Sequence, residues 1–213
     1  MADPVPIPGA PGPPRWVARV IVVSDGVADG SREDRGGPAL QAALERAGAT
    51  VEAVVTCPDG VEAVAETLLA QSAGFAGLLV TTGGTGFGPR DLTPEGTRRV
   101  IDREAPGLAE AMRLVSPLGR LSRGIAGTRG RALVVNVPGS PKGAVECLEA
   151  VVDVVPHALA LRAGDRPHCG RRPRPVATRT VGVVRDRIAF VEWAHNRERT
   201  RLLAGQGASP DRR

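Results

Sequence analysis

"GLLVTTGGTGFGPRDLTPEGT" (Gly77–Thr97) is the stretch on which the fold turns. It opens with a continuous apolar run, Leu78–Val80, of the kind that forms a strand buried on both faces. Two threonines lead into four glycines, which weaken any regular element, and Pro94 then suits the first turn of a helix. Strand, glycine turn and helix in that order make half of a βαβ crossover.

Outward from this stretch the same order repeats. "RVIVVS" (Arg19–Ser24) predicts a buried parallel strand, with a helix at about Pro38–Ala47 closed by Gly48. "TVEAVV" (Thr50–Val55) predicts the next strand, and Val61–Ser72 an amphipathic helix. After Gly77–Thr82 the pattern predicts helical segments at Pro94–Arg103 and Gly107–Val115, then a glycine-rich loop. "RALVVNV" (Arg131–Val137) and "PKGAVECLEAVVDVV" (Pro141–Val155) predict a last strand and helix. The alternation predicts an α/β fold, with helices on both faces of a mostly parallel sheet.

The ends differ in composition. Six prolines in the first 14 residues predict a disordered arm over residues 1–15, ahead of a domain over 16–164. From Asp165 onward there are 12 arginines against 5 carboxylates, so the net charge of +5 belongs to an extension over 165–213. Weak alternation over Thr178–Ala194 predicts a hairpin there. The rest of the chain is slightly acidic and only 2% of residues are aromatic, which argues against nucleic-acid binding by base stacking. No apolar run approaches the roughly 20 residues of a membrane span. The first residues lack the pattern of a secretory signal, and Cys57, Cys147 and Cys169 form no paired framework. A cytoplasmic protein with inert thiols is the expectation.

Three predicted strands end in polar turns rich in glycine or proline: "VVSDG", "VTTGGTGFGPRD" and "VNVPGSPKG". In parallel α/β sheets, ligands collect outside the carboxyl ends of strands. Gly83, Gly84 and Gly86 leave backbone N–H groups free to close on an anion, and Thr82 and Thr85 add hydroxyls. Ser140, after Pro138-Gly139, stands where Pro141 would open a helix whose N-terminus favours a phosphate. Each turn taken singly also reads as a plain strand-to-helix connection. Neither GxxxxGK[ST] nor GxGxxG is satisfied, since Pro89 takes the last glycine place, so P-loop and dinucleotide-binding readings lose support.

Asp59 in "TCPDG" and Asp91 at the end of the glycine stretch are the candidate carboxylates. Near phosphates they would need a divalent cation, and Mg²⁺ takes one or two carboxylates plus phosphate oxygens. On residues alone, Pro-Asp-Gly also reads as an ordinary turn, and Asp91 as a cap for the helix near Thr93-Pro94, with Arg90 turned towards an anion. Lys142 is the one lysine among 28 basic residues, a point charge beside the third turn or a solvated helix-start residue.

"SDG" with "EDRGGPAL", "TTGGTGFGPRDLTPEGT" and "NVPGSPKGAVECL" together resemble, in order and spacing, the MogA/MoaB family of molybdenum cofactor biosynthesis. The resemblance, which also takes in a gephyrin domain, spans Val17 to Gly164. It implies a three-layer αβα domain, usually a homotrimer, that binds molybdopterin and, in its adenylyltransferase members, moves AMP from Mg-ATP onto the pterin phosphate. Asp59 and Asp91 match the aspartates those members need for adenylylation, which reverses the plain-turn reading of "CPDG". Ser24, Asp25, Arg90 and Lys142 fall in its substrate-binding motifs. Other cofactor biosynthesis proteins become expected partners. A non-catalytic MoaB-type pterin carrier is the alternative function. One departure is Gly96, where members often have alanine, at a cost of about 1 kcal/mol in helix propensity.

Overall fold

The computed structural model describes residues 16–164. The expected 1–15 arm, the 165–213 extension with its hairpin, and Cys169 lie outside the described residues. The elements run β1 (Trp16–Val23), α1 (Asp25–Ala28), α2 (Gly36–Arg46), β2 (Ala49–Cys57), α3 (Val61–Ser72), β3 (Leu78–Thr82) and α4 (Thr93–Arg98). β4 (Arg103–Glu104), α5 (Pro106–Arg113), a 3-10 turn (Pro117–Leu121), β5 (Ala126–Arg129), β6 (Ala132–Val137), α6 (Pro141–Glu149) and α7 (Val155–Ala163) follow.

The six strands form one sheet in the order β2-β1-β3-β6-β5-β4. β2, β1, β3 and β6 are parallel, while β5 pairs antiparallel with both β6 and β4. Alternate residues of each central strand enter opposite layers. Val20, Leu78, Val80, Leu133 and Val135 pack with α2, α5, α6 and α7. Ile21, Leu79 and Val134 pack with Val64 and Leu68 of α3. Both faces are therefore covered, and the fold is a three-layer α/β arrangement with a mostly parallel sheet. Its core is mostly aliphatic, with Trp16 and Phe75 the buried aromatics among the described residues, and each fully buried leucine or valine contributes about 1.5–3 kcal/mol.

Register places the ligand side. Val22 pairs Thr82, Thr82 pairs Val137 and Val23 pairs Cys57, so four carboxyl ends lie level. The chain leaves β1 towards β2 and later returns to β1's other side as β3. The crevice between the ends of β1 and β3 is thus a topological switch point.

Several elements differ from the sequence expectation. The helix predicted over Pro94–Arg103 stops at Arg98, because Asp102 N–H bonds Thr128 O at 2.7 Å and draws the chain into β4. The loop predicted after α5 contains β5 instead. Its Gly127 is required by close approach, since a Cβ would lie 2.6 Å from Arg103 O. The helix predicted over Pro141–Val155 ends at Glu149, and the chain restarts as α7 with Pro156 in its first turn, where a missing N–H costs nothing. Gly96 also finds its reason. A Cβ there would sit 2.8 Å from both Val61 O and Val64 Cβ, so glycine lets α4 lie against α3.

Candidate active site

A cleft of about 930 Å³ opens at this switch point, lined by all three predicted turns. Its floor is the glycine turn after β3. Gly83 holds φ +107°, and a Cβ there would lie 2.2 Å from Val23 O. The turn can therefore press against the end of β1 only with glycine in place. Gly84, at φ +60°, faces Thr93 and Asp59. Gly83 N–H is engaged by Val137 O at 3.3 Å, and Thr82 Oγ1 donates to Pro138 O at 2.8 Å. Those two groups tie the second and third turns together. Among the described residues, the N–H groups of Gly84, Thr85 and Gly86 have no protein acceptor. They are the donors left for an anion.

The two candidate carboxylates share one design. Asp59 Oδ2 accepts Asp25 N–H at 2.9 Å, and Asp91 Oδ2 accepts Gly88 N–H at 2.7 Å. Neither Oδ1 takes a hydrogen bond among the described residues, so each carboxylate is anchored by one oxygen and open at the other. Both meet the glycine turn: Asp59 Oδ1 lies 3.2 Å from a Cβ built on Gly84, and Asp91 Oδ2 lies 2.9 Å from one built on Gly86. Asp91 makes no cap for α4, whose first residue is preceded by Leu92 without a side-chain cap. It closes the glycine stretch instead.

Asp25 and Arg90 stand beside the cleft rather than in its lining. Arg90 grips Asp25 through Nε at 3.0 Å and Nη2 at 2.9 Å, and also donates to Asp59 O at 2.8 Å. The expectation that Arg90 turns to an anion of the cleft is corrected: its Nε and Nη2 are engaged by the Asp25 carboxylate and the Asp59 carbonyl. The Arg90 hydrogen bond also holds the Asp25 carboxyl below the usual carboxylate range. The pair acts as a clip around the Asp59 turn, since Asp25 Oδ1 in turn accepts Asp59 N–H at 3.0 Å.

Ser24 is buried and lines the cleft, with Oγ accepting Arg32 Nη2 at 2.7 Å and Val27 N–H at 3.3 Å. Its acceptor positions are occupied, which leaves the hydroxyl proton for a ligand. Ser140 caps α6 by accepting Gly143 N–H at 3.2 Å, and Pro138 and Gly139 complete that wall. Lys142 also lines the cleft; its side chain is 88% exposed, with the ammonium 3.8 Å from Glu146 one turn further along α6. Thr85 is buried at the same rim. Cys57 and Cys147 are buried, and burial raises both thiols, which suits inert packing groups.

Sequence reasoning missed two arginines. Arg32 lines the cleft from the α1–α2 connection. Arg123, just before β5, contacts the glycine stretch from behind through Gly86 O at 2.7 Å, and binds Asp91 O and Glu95. Burial alone would raise the Glu95 carboxyl, but hydrogen bonds from Arg123 and its own backbone hold it low. Nothing in local spacing announces either arginine.

A parallel α/β domain with free N–H groups, two half-anchored carboxylates and a lysine at its switch point has the place and the polar groups of a ligand site. The particular family follows from comparison. Residues 19–157 match the family described as a probable molybdopterin binding domain, and the chain belongs to that family. It is 47% identical over 92 residues to the molybdopterin adenylyltransferase of Helicobacter pylori strain J99, a match covering 41% of this chain and 52% of that protein. The chain thus spans about half the length of that relative. Against the molybdopterin adenylyltransferase of Escherichia coli K12, identity is 36% over 177 residues, covering 74% of this chain and 90% of the relative. The crystal structure of the molybdopterin biosynthesis enzyme MoaB from Thermus thermophilus is similar at TM-score 0.66 and 46% identity. That match covers 70% of this chain and 98% of the other.

Proposed function

We propose that this protein transfers AMP from Mg-ATP to the terminal phosphate of molybdopterin, giving adenylyl-molybdopterin and pyrophosphate. A pterin phosphate oxygen attacks the α-phosphorus, the bond from that phosphorus to the bridging oxygen breaks, and both electrons leave with pyrophosphate. The nucleophile is already anionic, so positioning and charge neutralisation carry the catalysis rather than a strong base. The observation that carries this reading is the pair of half-anchored carboxylates, Asp59 and Asp91, that face one glycine turn from two different connections.

Their open oxygens fit a divalent cation. Among the described residues no three His, Cys, Asp or Glu side chains gather as a metal cage, so two carboxylates plus phosphate oxygens is the set available, and it suits Mg²⁺. Bound there, the ion would neutralise phosphate charge. The chain's own groups do the rest. N–H groups of Gly84, Thr85 and Gly86 receive phosphate oxygens, joined by Ser24 Oγ and Lys142 Nζ. Thr82, Gly83, Pro138, Gly139 and Ser140 shape the wall, while Asp25 and Arg90 hold Asp59 in place.

No described helix is long and apolar enough to cross a membrane. We assign the protein to the cytoplasm, as a homotrimer working beside other proteins of the same biosynthesis. The exposed Leu114, with the exposed cleft-lining Leu118 and Leu121, supports a subunit contact there. Sedimentation under reducing conditions tests the trimer, and a monomer across micromolar concentrations contradicts it. Purified protein with molybdopterin and Mg-ATP, scored for adenylylated pterin and pyrophosphate, tests the activity. Tight pterin binding without transfer would leave the carrier function instead.

A further inference from the structure

We propose that Arg123 is a positioning residue: it fixes the conformation of Gly86–Asp91 and so holds the Asp91 carboxylate in the cleft. The inference rests on the transferase reading for its catalytic consequence, but not for its structural one.

Arg123 lies in the connection between the 3-10 turn and β5, far from Asp91 in sequence, and its side chain is 31% exposed. Its backbone N–H donates to Thr85 O at 2.8 Å. Its Nε donates to Gly86 O at 2.7 Å, one Nη to Asp91 O and the other to Glu95 of α4. One residue thus fastens the start of the glycine stretch, its end and the helix after it.

Apart from these bonds, the stretch is held at few points. Asp91 N–H bonds Gly88 O at 3.0 Å, and Gly88 N–H returns to Asp91 Oδ2. These bonds lie within the turn, and on the side of the parallel strands the segment is tied by the Arg90 side chain, which reaches Asp25 and Asp59 O. Thr93 N–H, at 3.0 Å from Gly84 O, anchors only the far side. Arg123 supplies the link from the Gly86–Asp91 segment to the antiparallel edge of the sheet.

The bonds also set which way the peptides face. In a trans peptide, C=O and the following N–H point in opposite directions. With Thr85 O and Gly86 O drawn to Arg123, the N–H groups of Gly86 and Phe87 turn away from it. Arg123 does not line the cleft, whereas Gly86 does. A guanidinium suits this task because its planar fork serves a carboxylate and two carbonyls at once, which an ammonium on a flexible stem cannot do.

The test compares wild type with Arg123→Lys and Arg123→Ala by amide hydrogen exchange and by adenylylation kinetics. Exchange at Gly88 and Asp91 N–H should quicken at least tenfold in both variants, with Val80 and Val134 in the sheet unchanged. Turnover should fall at least tenfold in Arg123→Lys while KM for molybdopterin moves less than threefold. Added guanidinium should restore part of the loss in Arg123→Ala. Unchanged exchange in the Gly86–Asp91 stretch overturns the proposal whatever the turnover, and so does faster exchange with unchanged turnover. A wild type that shows no transfer brings down the transferase reading alone, because the exchange measurement still decides whether Arg123 holds the segment. Should Arg123→Ala fail to fold, Arg123→Lys carries the test.

Discussion

The parallel half of the sheet and its antiparallel edge divide the work of the site. β1, β3 and β6 end level and carry Ser24, the glycine turn and Ser140 on their turns. β4 and β5 carry no cleft residue, yet the chain entering β5 delivers Arg123 to the back of the glycine turn. The candidate site groups come from the parallel half, and the antiparallel edge adds a restraint on the glycine turn through Arg123. A crevice at a switch point supplies room and donors, but a glycine-rich turn needs bracing from outside to keep one shape.

The largest effect that would sharpen this contrast is on stability. Gly83→Ala, in the parallel half, combines φ +107° with a Cβ 2.2 Å from Val23 O, so the end of β1 or the turn must move. A loss above about 3 kcal/mol in urea unfolding is expected, within the range of overpacked and strained sites. Gly130→Ala, between β5 and β6, has φ +53° but open space around the added carbon. Its cost should be only the left-handed backbone penalty, about 1 kcal/mol. Equal losses at the two sites would break the contrast between a packed ligand edge and an open outer turn.

The smallest effect is acid sensitivity. Asp25 is held low by Arg90 in the parallel half, and Asp102 by the Gly130 N–H at the antiparallel edge. Each carboxyl has a folded pKa below its ordinary 3.8, so its contribution is present above that value and is lost as pH falls through the folded pKa. Both groups are solvent-accessible, and only a slight loss of stability below about pH 4 is expected. Carboxyl NMR titration checks it; a midpoint above 3.8 for either would remove that clip.

The same division explains what could be read in the sequence. β1, β3 and β6 are continuous apolar runs, each closed by a distinctive turn, so the sheet and the three converging turns were legible locally. β4 has two residues and β5 four, and they are strands only because they pair with each other and with β6. No periodicity can signal elements that short. Likewise the Asp25–Arg90 clip joins residues 65 positions apart, and Arg123 reaches Asp91 across 32. Arg123 is one of 27 arginines with nothing local to single it out. Arg90 was misdirected for the opposite reason. Its place in the glycine stretch suggested an anion, while the carboxylate that engages it comes from α1, just after β1.

The central claim is that Asp59 and Asp91 hold the transfer chemistry while backbone donors and Lys142 hold the pterin phosphate. Asp91→Asn and Asp59→Asn each remove a charge at nearly constant shape, and both should be measured for molybdopterin affinity and for adenylylation rate across a range of Mg²⁺ concentrations. The expected result is affinity changed less than about threefold and a rate lowered at least about a hundredfold, roughly 2.7 kcal/mol of transition-state stabilisation, partly restored at high Mg²⁺. Full transfer activity in both variants would contradict the claim.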